Sequence, residues 1–210
     1  MALTNKSLLQ NPRVLVWSVE LAQPPARVPE LEALLSEDER ERAARLVDGA
    51  RWVVARAALR TVLARELSVA PGELRFALGP HGKPELPGAE LRFNLSHSGD
   101  RAVIAVAGVE VGIDVERTAR RSHAIERTLT TGERAAIGGA DRHVELLRIW
   151  CRKEALAKAI GGGLGWAPET FDTSRPDGHV LADLDPGEGF VGAVALAGAQ
   201  LELELRRLDF

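Results

Sequence analysis

The sequence predicts an α+β fold, and three observations point to it. Apolar residues with helical periodicity occupy two parts of the chain, one beginning at Ser36 and one covering about 141–160. Short β-like runs bounded by glycine and proline lie between and after these parts. The chain has 210 residues, of which 45% are hydrophobic, so it can bury a core of its own in one or two domains.

The composition excludes several classes of protein. It is too apolar for a disordered chain and lacks a collagen repeat. Lys+Arg 27 against Asp+Glu 30 gives a net charge of -3, which argues against wholesale binding of nucleic acid. The single cysteine, Cys151, fits a reducing compartment. No secretory signal and no apolar run of roughly 20 residues is found, so we expect a cytoplasmic protein that binds neither nucleic acid nor membrane.

The first elements are predicted as a strand and two helices. Residues 14–19 form an apolar run that ends before a proline pair, which is typical of a strand. Ser36 and Glu39 have the spacing of a capping box, so a helix begins there. Apolar residues then recur at spacings of three and four as far as Val62, with a break between two helices at Gly49.

Strands dominate the middle and the end of the sequence. Four short runs are predicted as strands: 74–78, 91–95, 102–107 and 109–115. The helix at 141–160 should end at Gly161-Gly162-Gly163. Residues 191–196 and 201–205 are predicted strands, and the alternation of leucine and glutamate in the second predicts one buried and one exposed face. The pattern is consistent with two halves joined near Gly112, although no internal repeat is detectable.

Two carboxylates follow Gly112 in the strand predicted at 109–115. Asp114 and Glu116 lie two residues apart and therefore project from the same face. Mg²⁺ prefers oxygen ligands of this kind and usually keeps waters or substrate phosphates in its other positions. The spacing alone is more often that of two solvated carboxylates at a strand end.

The helix predicted at 141–160 carries a second group of charges. At 3.6 residues per turn, Trp150, Glu154 and Lys158 lie one above another, and Lys153 flanks them. An exposed Glu-Lys pair worth about 0.3–0.5 kcal/mol explains two of these residues. It does not explain the tryptophan at the head of the row or the glycines that follow Ile160.

A polar turn with Ser96 and His97 follows the strand predicted at 91–95. Its hydroxyls, imidazole and backbone amides suit an anion, although a hairpin turn with locally satisfied polar groups has the same residues. Adjacent strand side chains point to opposite faces, so Ser96 and His97 are poorly placed as a nucleophile and its base. The remaining basic candidates, which are unremarkable singly, are Gly82-Lys83-Pro84 and the helix arginines Arg51, Arg56 and Arg60.

Taken in order, these motifs resemble the 4′-phosphopantetheinyl transferases of the surfactin-synthetase-activating (Sfp) type. The resemblance covers about residues 36–205 and is carried by Arg51, Gly82-Lys83-Pro84, the segment 93–99, Gly112-Ile113-Asp114-Val115-Glu116 and Trp150-x-x-Lys153-Glu154-Ala155-x-x-Lys158-x-x-Gly161-x-Gly163-Leu164. It implies an α+β fold of two similar halves related by a pseudo-twofold axis, each a small antiparallel sheet with helices. Residues 1–111 would bind coenzyme A, residues 112–210 would carry the metal and catalytic residues, and the active site would lie in the cleft between them.

The resemblance also implies an activity and roles for residues. The enzyme would transfer the 4′-phosphopantetheine arm of coenzyme A to a serine of an acyl or peptidyl carrier protein in polyketide or nonribosomal peptide biosynthesis, releasing 3′,5′-ADP with the help of Mg²⁺. The implied metal ligands are Asp114, Glu116 and Glu154. The implied catalytic residues are Glu154, as base or metal ligand, and Lys158. The implied coenzyme A contacts are Arg51, Lys83, Pro84, Ser96, His97, Lys153 and Lys158.

Some positions depart from the family pattern or match it weakly. Leu147 stands where an aromatic residue is common, and arginines replace the usual lysines of the first helix: Arg40, Arg42 and Arg45. Glu133 weakly matches a further acidic position, and Cys151 is expected to be a small buried filler. A basic edge is expected to dock the acidic carrier, and it consists of Arg117, Arg120, Arg121 and Arg127.

We expect a monomer. Two alternative functions remain open at the level of the sequence. One is a Mg²⁺-dependent hydrolase of coenzyme A-type pyrophosphates, and the other is an inactive module that binds coenzyme A or a carrier.

Overall fold

The computed structural model describes residues 13–79, 82–121, 123–138, 141–161 and 167–210. The strands are β1 Arg13–Glu20, β2 Ala77–Leu78, β3 Pro84–Glu85, β4 Arg92–Ser98, β5 Arg101–Ala107, β6 Val111–Arg117, β7 His179–Leu184, β8 Phe190–Ala197 and β9 Glu202–Leu208. The helices are α1 Val28–Glu32, α2 Glu37–Ala44, α3 Gly49–Leu67, α4 His123–Arg127, α5 Thr131–Ala136 and α6 Arg142–Ile160. The predicted α+β class is confirmed. None of the helices in the described ranges is both long and apolar enough to cross a bilayer.

The strands form two main sheets. The first has the order β4-β5-β1-β9, in which β1 is antiparallel to β5 and parallel to β9. The second is antiparallel with the order β6-β8-β7, and β2 pairs with β3 in a separate hairpin. The last strand thus returns to the sheet that holds the first. The division at residue 111 stays a prediction.

The two sheets pack face to face, and each carries one long helix on its outer side. The core between the sheets contains Val16 and Val103 from the first sheet and Ile113 and Val194 from the second. The core under α3 and the core under α6 cover the outer faces. Both helices have 19 residues. The molecule is therefore layered as helix, sheet, sheet and helix.

The helix ends follow the predicted local signals. The Ser36 N–H donates to Glu39 Oε2 at 2.9 Å, which supports the capping box at the start of α2. The break at Gly49 is confirmed, since α2 ends at Ala44 and α3 begins at Gly49. Helix α6 ends at Gly161, whose φ of 75° is the left-handed value that favours glycine. Gly162 and Gly163 lie outside the described residues.

Two predictions about strands are wrong. The predicted strand at 74–78 is reduced to Ala77–Leu78 and follows a short 3₁₀ turn. The predicted buried face of the last strand is not buried, because Leu203 and Leu205 are 36% and 41% exposed. These leucines lie opposite Val14 and Val16 on the face that meets the second sheet. They are exposed because β9 is an edge strand, which the second sheet does not cover.

Candidate active site

A row of polar side chains on β4 meets β6 where the two sheets pack together. Every second residue of β4 is polar here, so these side chains share one face. Three hydrogen bonds cross the seam: Ser96 Oγ donates to Asp114 Oδ1 at 2.7 Å, Ser98 Oγ donates to Glu116 Oε2 at 2.9 Å, and Asn94 Oδ1 accepts from Ile113 N at 2.9 Å. The two predicted carboxylates of β6 are thereby oriented by the first sheet.

Helix α6 lies directly on β6 and brings Lys158 to Asp114. A Cβ on Gly112 would lie 2.0 Å from Ala155 O, so only glycine allows this approach of strand and helix. Lys158 Nζ donates to Asp114 Oδ1 at 2.6 Å and to Ser96 Oγ at 3.3 Å. The structure therefore brings Ser96, Asp114 and Lys158 together.

Glu154 lies one turn before Lys158 on α6 and is half-buried. Burial raises the pKa of the Glu154 carboxyl, and the positive charge of Lys158 lowers it. The negative charge of Asp114 raises the pKa further, whereas Arg120 acts in the opposite direction. The net pKa lies above the ordinary value of a glutamate. Glu154 therefore lies within electrostatic range of Lys158, Asp114 and Arg120.

Glu116 is held by partners from the protein. Its Oε2 accepts the hydrogen bond from Ser98, and its Oε1 forms an ion pair with Arg120. The Arg120 guanidinium also lies 6.0 Å from the centroid of the Trp150 ring. The Glu116 carboxylate thus has two polar neighbours, and neither is Asp114 or Glu154.

The carboxylates fit a divalent cation that has few protein ligands. The described residues contain no group of three or more His, Cys, Asp and Glu side chains arranged to hold a metal ion. Asp114 is 5% exposed, yet its Oδ2 has no hydrogen-bond partner among the described residues. An unpaired buried carboxylate oxygen is costly unless something binds it. Mg²⁺ commonly takes one or two carboxylates together with substrate phosphates, and Asp114 with Glu154 fits that pattern. The three-carboxylate set stays a prediction.

His97 points to the other side of β4, as expected for the neighbour of Ser96. It lines a cavity of about 340 Å³ between α3, the β2-β3 hairpin and β4. Other lining residues are Arg42, Trp52, Arg56, Phe76 and Pro84. A second cavity of about 340 Å³ adjoins His97 and includes Arg51. Two aromatic rings and several cations therefore surround a space beside the seam.

Arg51 and Lys83 already have partners. Arg51 Nε donates to Asp100 Oδ1 at 2.8 Å, and the hydrogen bond and charge of Asp100 raise the pKa of Arg51. Lys83 Nζ donates to Glu110 Oε2, to Val111 O and to Lys158 O, each at 3.1 Å. Lys83 therefore ties the β2-β3 hairpin to the start of β6 and to the last turn of α6.

Comparison with known proteins identifies the family. The model of the 4′-phosphopantetheinyl transferase superfamily matches residues 110–185, which include β6 and α6. The chain is 31% identical to the 4′-phosphopantetheinyl transferase HetI of Nostoc, over 92% of this chain and 91% of HetI. The chain belongs to the 4′-phosphopantetheinyl transferase superfamily. A putative 4′-phosphopantetheinyl transferase of Synechocystis is 32% identical over 73% of this chain and 67% of that protein. Sfp of Bacillus subtilis is 27% identical over 72% of each chain.

In this phosphopantetheinyl transferase, Lys153 is not brought to the charged cluster. Its side chain is fully buried, and its Nζ donates to Pro168 O at 2.7 Å and to Phe171 O. It also forms an ion pair with Glu133 at 2.9 Å. The implied contact of Lys153 with coenzyme A therefore has no support from this geometry, because the ammonium is enclosed by Glu133, Pro168 and Phe171.

The partner of Lys153 had a signal in the sequence that was missed. Thr130 and Glu133 have the spacing of a capping box, and Thr130 N–H donates to Glu133 Oε2 at 2.9 Å. Thr173 donates to Glu133 Oε1 through both its backbone and its hydroxyl. Glu133 is therefore a structural carboxylate that joins α5, α6 and the segment before β7.

The positions that depart from the family pattern are structural or line the cavity. Of the three arginines on and after α2, Arg42 lines the cavity that contains His97 and Phe76. Arg40 donates to Leu35 O, and Arg45 pairs with Glu41. Leu147 and Cys151 are fully buried in the core under α6. The prediction of Cys151 as a small buried residue is confirmed.

Proposed function

We propose that this transferase moves the 4′-phosphopantetheine arm of coenzyme A to a serine of an acyl or peptidyl carrier protein. In this proposal it is an enzyme of the Sfp type, uses Mg²⁺ and releases 3′,5′-ADP. The observation that carries the proposal is the charged cluster at the seam, where Lys158 pairs with Asp114 one turn after Glu154 and Asp114 Oδ2 has no hydrogen-bond partner among the described residues. Phosphoryl transfer requires mainly alignment and neutralisation of charge, which such a cluster provides.

The cavities beside His97 are suited to the nucleotide of coenzyme A. Trp52 and Phe76 offer aromatic surface, and Arg42 offers positive charge, whereas Arg56 is paired with Glu39. Arg51 is half-exposed at the neighbouring cavity, and its planar guanidinium can bind a phosphate by two hydrogen bonds. A phosphate would have to replace Asp100 as its partner. Pro84 lines the cavity that contains Trp52 and Phe76, whereas Lys83 donates to Glu110, Val111 and Lys158.

The diphosphate of coenzyme A would lie at the seam. Asp114 and Glu154 would hold Mg²⁺, with Glu116 as the further ligand that the resemblance implies. When bound, this ion would neutralise charge on the diphosphate. The Lys158 ammonium donates to Asp114 Oδ1. It would stabilise the charge that develops on the leaving phosphate.

The chemical step is a displacement at the phosphorus atom that bears the pantetheine arm. A bond forms between the serine oxygen and this phosphorus, and the bond from phosphorus to the bridging oxygen breaks. The bridging oxygen leaves with 3′,5′-ADP. The serine proton would go to an oxygen of Glu154, the half-buried carboxylate one turn before Lys158.

Exposed arginines after β6 suit an acidic carrier protein. Arg117, Arg121 and Arg127 are exposed on this edge. Opposite charge at such an edge speeds encounter and selects partners. Arg120 differs from them, because it is paired with Glu116 inside the cleft.

The proposal is tested by mass spectrometry of carrier proteins incubated with coenzyme A and Mg²⁺. Addition of the phosphopantetheine mass to a serine of at least one carrier is the predicted result, and Glu154→Gln should slow it at least about tenfold. Cleavage of coenzyme A without a modified carrier would indicate a hydrolase instead. No reaction with a panel of fatty acid, polyketide and peptide carriers would indicate a module that only binds.

A further inference from the structure

Arg120 spans the open side of the carboxylate cluster. It lies four residues after Glu116, just beyond the end of β6, and forms an ion pair with that carboxylate. Its side chain is 40% exposed, whereas that of Glu116 is 9% exposed. The guanidinium also lies over the ring of Trp150, which is one turn before Glu154 on the same face of α6. Arg120 is thus a partly exposed side chain that forms an ion pair with a buried carboxylate.

Among the described residues, the cleft contains three carboxylates, Asp114, Glu116 and Glu154, and two cations, Lys158 and Arg120. Asp114 is paired with Lys158, and Glu116 is paired with Arg120. Buried carboxylates that lie close together repel each other unless cations are placed among them. In the protein alone, the side chains of Lys158 and Arg120 supply that positive charge. A divalent cation would supply the same charge from outside and would compete with them.

The two cations differ in how firmly they are held. Lys158 Nζ has three partners, which are Asp114 Oδ1, Ile113 O and Ser96 Oγ. Arg120 projects from a turn, and its contact with Trp150 lies at the long end of cation-π distances. The Arg120 side chain is 40% exposed, so water can solvate its guanidinium when it leaves Glu116. Arg120 is therefore the cation that can leave.

We propose that Arg120 is an internal counter-cation that occupies Glu116 in the metal-free enzyme and leaves Glu116 when a divalent cation binds. This inference rests on the proposed function, in which Glu116 is a ligand of the metal. It makes Arg120 a positioning residue that lowers the affinity of the empty cleft for metal.

The test measures Mn²⁺ binding directly, without coenzyme A or carrier, by the electron paramagnetic resonance signal of free Mn²⁺. Arg120→Gln should tighten Mn²⁺ binding about fivefold. Arg121→Gln is the matched control, since it removes the same charge one residue further on, where Arg121 is exposed and donates to Thr118 O. Binding by this control should remain within about twofold of the wild type.

A double-mutant cycle isolates the competition for Glu116. In a Glu116→Gln background, Arg120→Gln should no longer tighten Mn²⁺ binding, because the shared carboxylate is gone. Unchanged or weaker Mn²⁺ binding by Arg120→Gln would overturn the inference. So would an equal gain in both backgrounds, which would indicate only general electrostatics, or an absence of Mn²⁺ binding in every variant.

Two further controls keep the test decisive. Circular dichroism melting verifies folding, and Arg120→Met replaces Arg120→Gln if the glutamine variant does not fold. The proposed function is separable from this inference, because the measurement needs no transfer. Tighter Mn²⁺ binding by Arg120→Gln together with an inactive wild type would contradict the transferase proposal and leave the competition for Glu116 supported.

Discussion

The Ser96 hydroxyl is shared by the two charged groups at the centre of the cleft. It donates to Asp114 Oδ1 and lies 3.3 Å from Lys158 Nζ, and Ser96 is 7% exposed. The resemblance alone implies that Ser96 contacts coenzyme A. Its burial and partners indicate instead that it orients Asp114. The residue type was predictable from the motif, whereas its partners depend on the packing of two sheets.

Replacing Ser96 with alanine should therefore affect the chemical step more than coenzyme binding. A hydrogen bond to a charged group is worth about 1.5–3 kcal/mol, so kcat should fall at least about tenfold in Ser96→Ala. The KM for coenzyme A should stay within about twofold. Steady-state kinetics separates the two constants. A raised KM with an unchanged kcat would make Ser96 a coenzyme ligand after all.

Glu133 should make the stability of the protein depend on pH in the acidic range. Burial alone would raise the pKa of Glu133, but hydrogen bonds from Lys153, Thr173 and Thr130 outweigh burial and hold this pKa below its ordinary value. A lowered folded-state pKa contributes stability above the unfolded-state pKa of about 4.3, and this stability is lost as pH falls through the folded-state value.

Glu133→Gln should consequently lower the free energy of unfolding at pH 7 by about 3–5 kcal/mol, because it leaves Lys153 buried without its charge partner. It should also flatten the fall in stability below about pH 4. Urea denaturation from pH 3 to 7 measures both effects. Glu188→Gln is the control, since Glu188 is exposed. An acid dependence identical to that of the wild type would contradict the role given to Glu133.

At the scale of elements, the contact between β6 and α6 positions Glu154 and Lys158. A Cβ on Gly112 would lie 2.0 Å from Ala155 O and 2.5 Å from Ala159 N. Both atoms belong to the helix backbone, which cannot rotate away as a side chain can. The glycine of the Gly-Ile-Asp-Val-Glu motif is therefore explained by close packing. The sequence shows that Gly112 belongs to the motif, but it does not show the contact with α6 that requires a glycine.

Gly112→Ala should displace α6 and lower the free energy of unfolding by about 3 kcal/mol. The loss of transfer activity should exceed that of a merely destabilised enzyme, because the helix carries Glu154 and Lys158. Gly132→Ala is the matched control, since a Cβ there meets nothing within 4 Å and alanine favours a helix. Chemical denaturation measures the free energy of unfolding of both variants. Transfer assays at a temperature where both are folded measure the loss of activity. Equal stability of the two variants would refute the packing explanation.

The ends of the helices were predictable from local signals, whereas the position of the last strand was not. Capping spacing and glycine mark the limits of α2, α3 and α6, since both act within one turn. The parallel pairing of β9 with β1 joins residues almost 200 positions apart and leaves no local pattern. For that reason the alternation of leucine and glutamate gave the wrong burial for Leu203 and Leu205.

For the whole molecule, the site exists only because the two sheets pack together. Ser96 and Ser98 come from the first sheet, Asp114 and Glu116 from the second, and Lys83 joins the hairpin to the end of α6. The sequence and its resemblance identified the residue types. They did not reveal that Lys153 is enclosed with Glu133, because that pairing depends on a tertiary contact between charged residues.

The most direct test is an anomalous diffraction map of crystals grown with Mn²⁺ and coenzyme A. We predict one Mn²⁺ peak at the seam, with oxygens of Asp114 and Glu154 about 2.1 Å from it and the diphosphate of coenzyme A on its other side. A peak bound by neither carboxylate, or a Glu154 side chain turned away from Asp114 with coenzyme A in place, would contradict the proposed mechanism.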